Sequence, residues 1–206
     1  MIFPTRLFLL RHGEVEERYH RIFGGRIDMN LSPRGHEQAK ALADFLRRRP
    51  IDVIYASPMK RAQQTLAPLA SHCPKPAIPK PEFREVDFGV WTGLSWEEVH
   101  SKHQVSAFDW LDRIENGAIA EAETGATFRA RIEPTLRQIV EEHAGQSVAI
   151  VCHGGVIRMM LSILLELPLP KLASFEIDYA SLTQVERHTH KTEVTLLNFA
   201  PWRDLA

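Results

Sequence analysis

Two short apolar runs that each stop at a histidine followed by glycine constrain this chain more than any other feature. Residues 6–10 (RLFLL) show no polar alternation after the first position and lead into Arg11-His12-Gly13. Ser147–Cys152 (SVAIVC) leads in the same way into His153-Gly154-Gly155. Runs this short, apolar at successive positions, suit strands buried on both faces of a parallel sheet, and both demand layers of helix above and below. A third run, residues 52–56, is stopped by Ser57-Pro58, and Lys60-Arg61-Ala62 then opens a helix.

The segments between these runs read as crossover helices. Ser32-Pro33 is an N-cap followed by a first-turn proline, and Ala39, Leu42, Ala43 and Leu46 recur at helical spacing. The basic end Arg47-Arg48-Arg49 complements the helix dipole. Prolines mark a loop over residues 73–81. From Ser95 to about Glu142 the chain is predicted helical, opened by the capping box Ser95-Trp96-Glu97-Glu98 and carrying one apolar face of Phe128, Ile132, Leu136, Ile139 and Val140. Pro134 is expected to kink it, and Gly145 to close it. Residues 156–166 form a further helix, and residues 175–199 alternate like a β-hairpin. The fold class is therefore α/β.

Composition sets the limits around that pattern. The 206 residues, 44% hydrophobic and 25% charged, predict one soluble domain spanning 1–206. A formal net charge of -1 offers no general attraction for nucleic acid or a membrane surface, so any anion site must be local. Two cysteines, Cys73 and Cys152, are too few for a disulfide scaffold and are expected to remain thiols. The N-terminal apolar run is too short for a signal segment or a span, which makes a cytoplasmic address the expectation.

The chemistry follows from where the strands end. In an open α/β sheet ligands sit beyond the carboxyl ends of strands, so Arg11, His12, Arg61 and His153 are expected to meet in one crevice. Guanidinium forks match phosphate oxygens, and glycines at helix starts let backbone N–H groups approach, so the natural guest is phosphate. His12 can attack phosphorus only while a ring nitrogen is unprotonated, a state that neighbouring guanidinium groups favour. Glu85, in Phe83-Arg84-Glu85-Val86-Asp87-Phe88-Gly89, is the candidate general acid, in a loop whose apolar neighbours favour a protonated carboxyl. Asp87 competes for that role. His188-Thr189-His190 lacks a full metal-ligand set, so no metal and no cofactor is expected.

At this point the chain resembles the histidine phosphatase superfamily, which includes cofactor-dependent phosphoglycerate mutase. The RHGE signature stands as Arg11-His12-Gly13-Glu14, the R-x-x-G step as Arg21 to Gly24, and the L-S-x-x-G helix entry as Leu31 to Gly35. The S-x-x-x-R-A-x-x-T segment is similar to Ser57 to Thr65, E-x-x-F-G-x-W to Glu85 to Trp91, and H-G-G-x-I-R to His153 to Arg158. The resemblance implies a three-layer αβα sandwich with a mostly parallel sheet and a helical cap over residues 85–135. It implies a phosphohistidine at His12, a phosphoryl clamp of Arg11, Arg61 and His153, and Glu85 as acid/base. Gly13, Arg18, Arg21, Gly24 and Gly154 are the expected further substrate contacts.

Departures from the family pattern bear on the substrate. Glu16, Glu17 and Arg18 stand where the family usually offers an asparagine, Thr92 replaces a glutamate after the tryptophan, and Ala126 replaces the glutamate of a G-E-S stretch. The insert by which mutases recognise glycerate phosphates has no counterpart over residues 95–130. The expected activity is metal-independent hydrolysis of a small organic phosphate, with α-ribazole phosphate one candidate because of the RHGEVE opening. Phosphoglycerate mutase and a catalytically silent phosphate-binding protein are the alternatives. A small phosphorylated metabolite is the expected partner, without nucleic acid or membrane, and a homodimer is compatible with the sequence.

Overall fold

In the computed structural model, which describes residues 3–70 and 76–205, six strands form one sheet. They are β1 (Thr5–Arg11), β2 (Val53–Ala56), β3 (Ile78–Pro79), β4 (Ser147–Cys152), β5 (Leu182–Arg187) and β6 (Thr192–Phe199), in the order β3-β2-β4-β1-β5-β6. β1, β2, β3 and β4 run parallel, while β5 joins β1 and β6 joins β5 antiparallel. The predicted C-terminal hairpin is thus the antiparallel edge of the main sheet. The loop expected over 73–81 holds the short strand β3, and the reading of Cys73 as a thiol lies outside the described residues. Cys152 is a free thiol, buried, with its pKa pushed up by that burial.

Successive residues of β1 serve opposite layers. Phe8 and Leu10 pack with Leu42, Ala43, Leu46, Leu66 and Leu69, which belong to α1 (Pro33–Leu46) and α2 (Lys60–Ala70). Leu7 and Leu9 join the opposite cluster with residues of α3 (Trp96–His103), α4 (Trp110–Glu115), α5 (Gly125–Glu142) and α6 (Gly154–Leu165). A final short helix, α7 (Pro201–Asp204), follows β6. Each fully buried Leu, Ile or Phe contributes about 1.5–3 kcal/mol relative to exposure, so these clusters hold the strand ends in place. Among the described residues no helix is long and apolar enough to cross a membrane.

The single helix expected over 95–142 is instead three. Gln104 closes α3 in the left-handed region at φ 56, and Ser106 accepts the Phe108 N–H to start the next turn. Gly117, at φ +63, reverses the chain after α4, and Thr124 caps α5. Gly125 is required at that cap, because a Cβ there would stand 2.8 Å from the Glu115 Cα. Local capping chemistry therefore overrides the continuous apolar pattern. α5 itself continues through Pro134.

Candidate active site

Strand register builds the centre of the site. β1 and β4 pair as far as Arg11 and Cys152, and the His12 N–H donates to the Cys152 carbonyl at 3.0 Å. His12 and His153 thus leave adjacent strands at one level, with ring centroids 5.2 Å apart and edges meeting faces. His12 is only 5% exposed, and its Nδ1 lies 2.8 Å from the Gly13 carbonyl oxygen. A carbonyl can only accept, so Nδ1 carries the proton and Nε2 the lone pair. Burial first, then the Arg61 and Arg11 charges, hold its pKa well below the ordinary histidine value, which keeps the ring neutral.

The segment from Ser57 to Thr65 supplies three supports spaced four residues apart. Arg61 Nε donates to His153 Nδ1 at 3.2 Å, leaving the Nε2 proton of His153 for Ser57 Oγ at 2.8 Å. Burial, then Arg61 and His12, hold His153 neutral as well. The two Nη groups of Arg61 donate to Ile27 and Gly25 carbonyls at 2.7 and 3.0 Å. Thr65 Oγ1 accepts the Gly13 N–H at 2.9 Å and donates to the Arg61 carbonyl at 2.7 Å. Gly13 must be glycine for a packing reason, since a Cβ would stand 2.5 Å from the Gly35 carbonyl oxygen.

In front of these groups lies a cleft of about 200 Å³ lined by Arg11, His12, Gly24, Arg61, Glu85 and Arg158, with aromatic side chains opposite. Arg11 donates through Nη1 to the Ile177 carbonyl at 2.5 Å, its guanidinium lies 4.1 Å from the Tyr179 ring centroid, and its buried Nε has no hydrogen-bond partner among the described residues. Arg158 is held by the Leu172 and Phe175 carbonyls at 3.3 and 2.9 Å. Burial, reinforced by Arg11, lowers its pKa to about 10, so it remains charged. Glu85 accepts the Gly155 N–H at Oε2, 3.2 Å, and the Val86 N–H at Oε1, 3.0 Å. Three cations against one carboxylate make an anion site, and the lone pair of His12 adds a nucleophile to it.

The structure brings Arg11, His12, Gly24, Arg61 and Glu85 to the cleft and leaves other expected residues outside its lining. His153 is fully buried behind Arg61, with both ring nitrogens occupied. The Gly13 N–H is taken by Thr65, and the Gly154 carbonyl accepts from Arg158 at 3.3 Å. Arg18 pairs with Glu16 at 3.2 Å, and Arg21 with Glu97 at 2.8 Å. Asp87 lies outside the lining and accepts the Gly89 N–H at 3.0 Å. Sequence reasoning gave no role to Arg158 or Tyr179, although Arg158 closes a motif it used. It also missed Arg131, whose guanidinium grips Glu123 at 2.6 and 2.9 Å and donates to the Glu82, Arg84 and Glu85 carbonyls. No spacing signal links α5 to that loop. Among the described residues no three His, Cys, Asp or Glu side chains cluster as metal ligands.

Comparison with known proteins shows the family and the fold. The chain is 32% identical over 194 residues to phosphoserine phosphatase 1 of Hydrogenobacter thermophilus, covering 94% of this chain and 92% of that one. It is 27% identical to the adenosylcobalamin/alpha-ribazole phosphatase of Salmonella typhimurium, covering 96% and 98%. A solved structure described as mycobacterial hydrolase 1 superposes with a TM-score of 0.86 at 25% identity, covering 96% of this chain and 99% of that one. The pattern of the histidine phosphatase superfamily (branch 1) matches residues 7–200, and the chain belongs to that family.

Proposed function

We propose that this protein hydrolyses small phosphate monoesters through a covalent phosphohistidine at His12. The observation that carries the reading is a buried, neutral histidine, with Nδ1 tied to the Gly13 carbonyl, lining a cleft that holds three guanidinium groups. His12 Nε2 attacks phosphorus, the bond to the leaving oxygen breaks, and Glu85, which must enter this step as the carboxylic acid, gives that oxygen its proton and becomes the carboxylate. Arg11 and Arg61 hold the non-bridging oxygens while charge spreads over them, which is where preorganised donors lower the barrier most. Water then attacks the phosphohistidine, Glu85 takes its proton, the P–N bond breaks, and phosphate leaves with His12 neutral again.

His153 acts in this scheme through Arg61, whose Nε it accepts, rather than as a direct clamp. The segment 85–135 acts as the cap that brings Glu85, Phe88, Trp96 and Trp110 to the nucleophile's cleft. The relatives point to phosphoserine and α-ribazole phosphate as the first substrates to assay. We place the enzyme in the cytoplasm, without nucleic-acid partners, as a monomer or homodimer that sizing would distinguish.

The test is to trap the intermediate. Rapid quench with labelled substrate in the presence of a chelator is expected to give an acid-labile, base-stable adduct on His12. His12→Ala is expected to lose both label and turnover, and wild-type turnover in that variant would overturn the assignment. Vanadate is expected to inhibit, because a trigonal-bipyramidal oxyanion fits a site built for the transition state.

A further inference from the structure

The cleft has two chemically distinct halves. The charged side chains of its lining are each already anchored: Arg11, Arg61 and Arg158 by backbone carbonyls, Glu85 by backbone N–H groups. The other half is lined by Tyr19, Ile22, Phe23, Phe88, Trp96 and Trp110. Phe23 and Phe88 are buried and brace each other edge to face at 4.9 Å. Phe88 in turn meets the edge of Trp110 at 5.3 Å, and Phe23 lies near parallel to Trp96 at 6.5 Å and 27°. Tyr19, Ile22, Trp96 and Trp110 are only half-buried, so flat apolar surface remains turned to the opening. Trp110 also stands beside the acid, because its ring lies 3.4 Å from where a Gly155 Cβ would be.

Among the described residues of the lining, the charged side chains are Arg11, Arg61, Glu85 and Arg158, so the aromatic residues bring no charge of their own to an ionic leaving group. The two arginines nearest in sequence to this wall, Arg18 and Arg21, are engaged by Glu16 and Glu97. Re-pairing either one with a substrate carboxylate would leave its glutamate facing that carboxylate. Within the described lining an ammonium group would find only Glu85 as an acidic side chain, and the proposed chemistry needs that residue. Setting a zwitterion against indole and isoleucine surface therefore loses hydration without an ionic partner in return, whereas a flat apolar group gains stacking and burial.

We infer that the site selects phosphate monoesters whose leaving group is uncharged and flat, such as an arylmethyl or heteroaromatic group, over amino-acid and hydroxy-acid phosphates. The inference rests on the phosphatase reading above and concerns only the leaving-group half of the cleft.

The experiment compares kcat/KM for benzyl phosphate, phosphoserine and 3-phosphoglycerate, with p-nitrophenyl phosphate as a control for hydrolysis itself. The first three all leave as alkoxides. Inhibition by benzylphosphonate and by the phosphonate analogue of phosphoserine, in which no P–O bond to a leaving group exists, reads binding alone. Benzyl phosphate is expected to exceed phosphoserine by about tenfold or more, with the inhibition constants in the same order. Trp96→Leu and Trp110→Leu keep apolar volume and are each expected to reduce that preference by about tenfold. Phosphoserine or 3-phosphoglycerate matching benzyl phosphate, while p-nitrophenyl phosphate is still hydrolysed, would overturn the leaving-group inference alone. An unchanged preference in both tryptophan variants would also overturn it. Absence of turnover with all four substrates would overturn it together with the phosphatase reading.

Discussion

Acid should destabilise this protein through its two site histidines before its perturbed carboxylates come into play. His12 and His153 are 5% and 0% exposed, and for each burial is the first cause that holds the pKa well below the 6.5 of an ordinary histidine. The unfolded chain regains that ordinary value, so below about pH 6.5 it binds protons that the native state refuses. Stability is therefore fully present above this pH and is lost as pH falls through it. Each group contributes at most one proton, or about 1.4 kcal/mol per pH unit, so the two together remove up to about 3 kcal/mol between pH 7.5 and 5.5. That is a large part of the roughly 5–15 kcal/mol that holds an ordinary domain together. Glu98, Glu123 and Glu133 are lowered from 4.5, so their contributions are lost only below this window. Urea unfolding at the two pH values, in buffer free of phosphate so that no ligand favours the native state, measures the effect. His12→Gln is expected to remove about half of the pH dependence. Equal wild-type stability at both pH values, or an undiminished dependence in His12→Gln, would refute the reasoning.

Three other outcomes follow from single contacts. Glu85→Gln is expected to slow phosphorylation of His12 by about 10² to 10⁴-fold with an alkyl phosphate and little with p-nitrophenyl phosphate, whose leaving group needs no acid, as single-turnover kinetics would show. Gly155→Ala places a Cβ 2.5 Å from Glu85 Oε1, the end of a side chain that can move, so alkyl phosphate turnover is expected to fall while urea stability holds. Gly13→Ala has no such escape, because its Cβ meets the Gly35 backbone at 2.5 Å, and a loss of about 1–3 kcal/mol is expected by urea unfolding.

The parts of the molecule legible in its sequence are those in which one residue does one local job. Ser147–Cys152 reads as a buried strand because every side chain in it is apolar or small, and the strand has those bounds. Ser32 and Pro33 mark the start of α1 because a cap and a first-turn proline act within four residues. The divided helix over 95–142 was less legible, since apolar periodicity runs across breaks set by Gln104 and Gly117. Arg131 was not legible at all. Its grip on Glu123 and on the Glu85 loop joins α5 to a segment 46 to 49 residues earlier, and nothing in either local pattern marks the other. Arg18 and Arg21, expected as substrate contacts, lie outside the cleft lining and pair with Glu16 and Glu97, partners that no local pattern marked.

The way the cleft holds its arginines explains why it can wait for an anion. A carboxylate partner would orient a guanidinium firmly but would also cancel the charge the site needs. Here Arg11 is oriented by the Ile177 carbonyl, Arg61 by those of Gly25 and Ile27, and Arg158 by those of Leu172 and Phe175. A carbonyl dipole fixes direction and leaves the net charge in place. The cost appears as mutual repulsion and desolvation, visible in the lowered pKa of Arg61 and Arg158, where burial is the leading cause and Arg11 adds to it. The same field keeps His12 unprotonated, so in the proposed mechanism the groups that attract a phosphate dianion also prepare the nucleophile. In that mechanism the entering dianion supplies counter-charge beyond what Glu85 alone gives the three guanidinium groups.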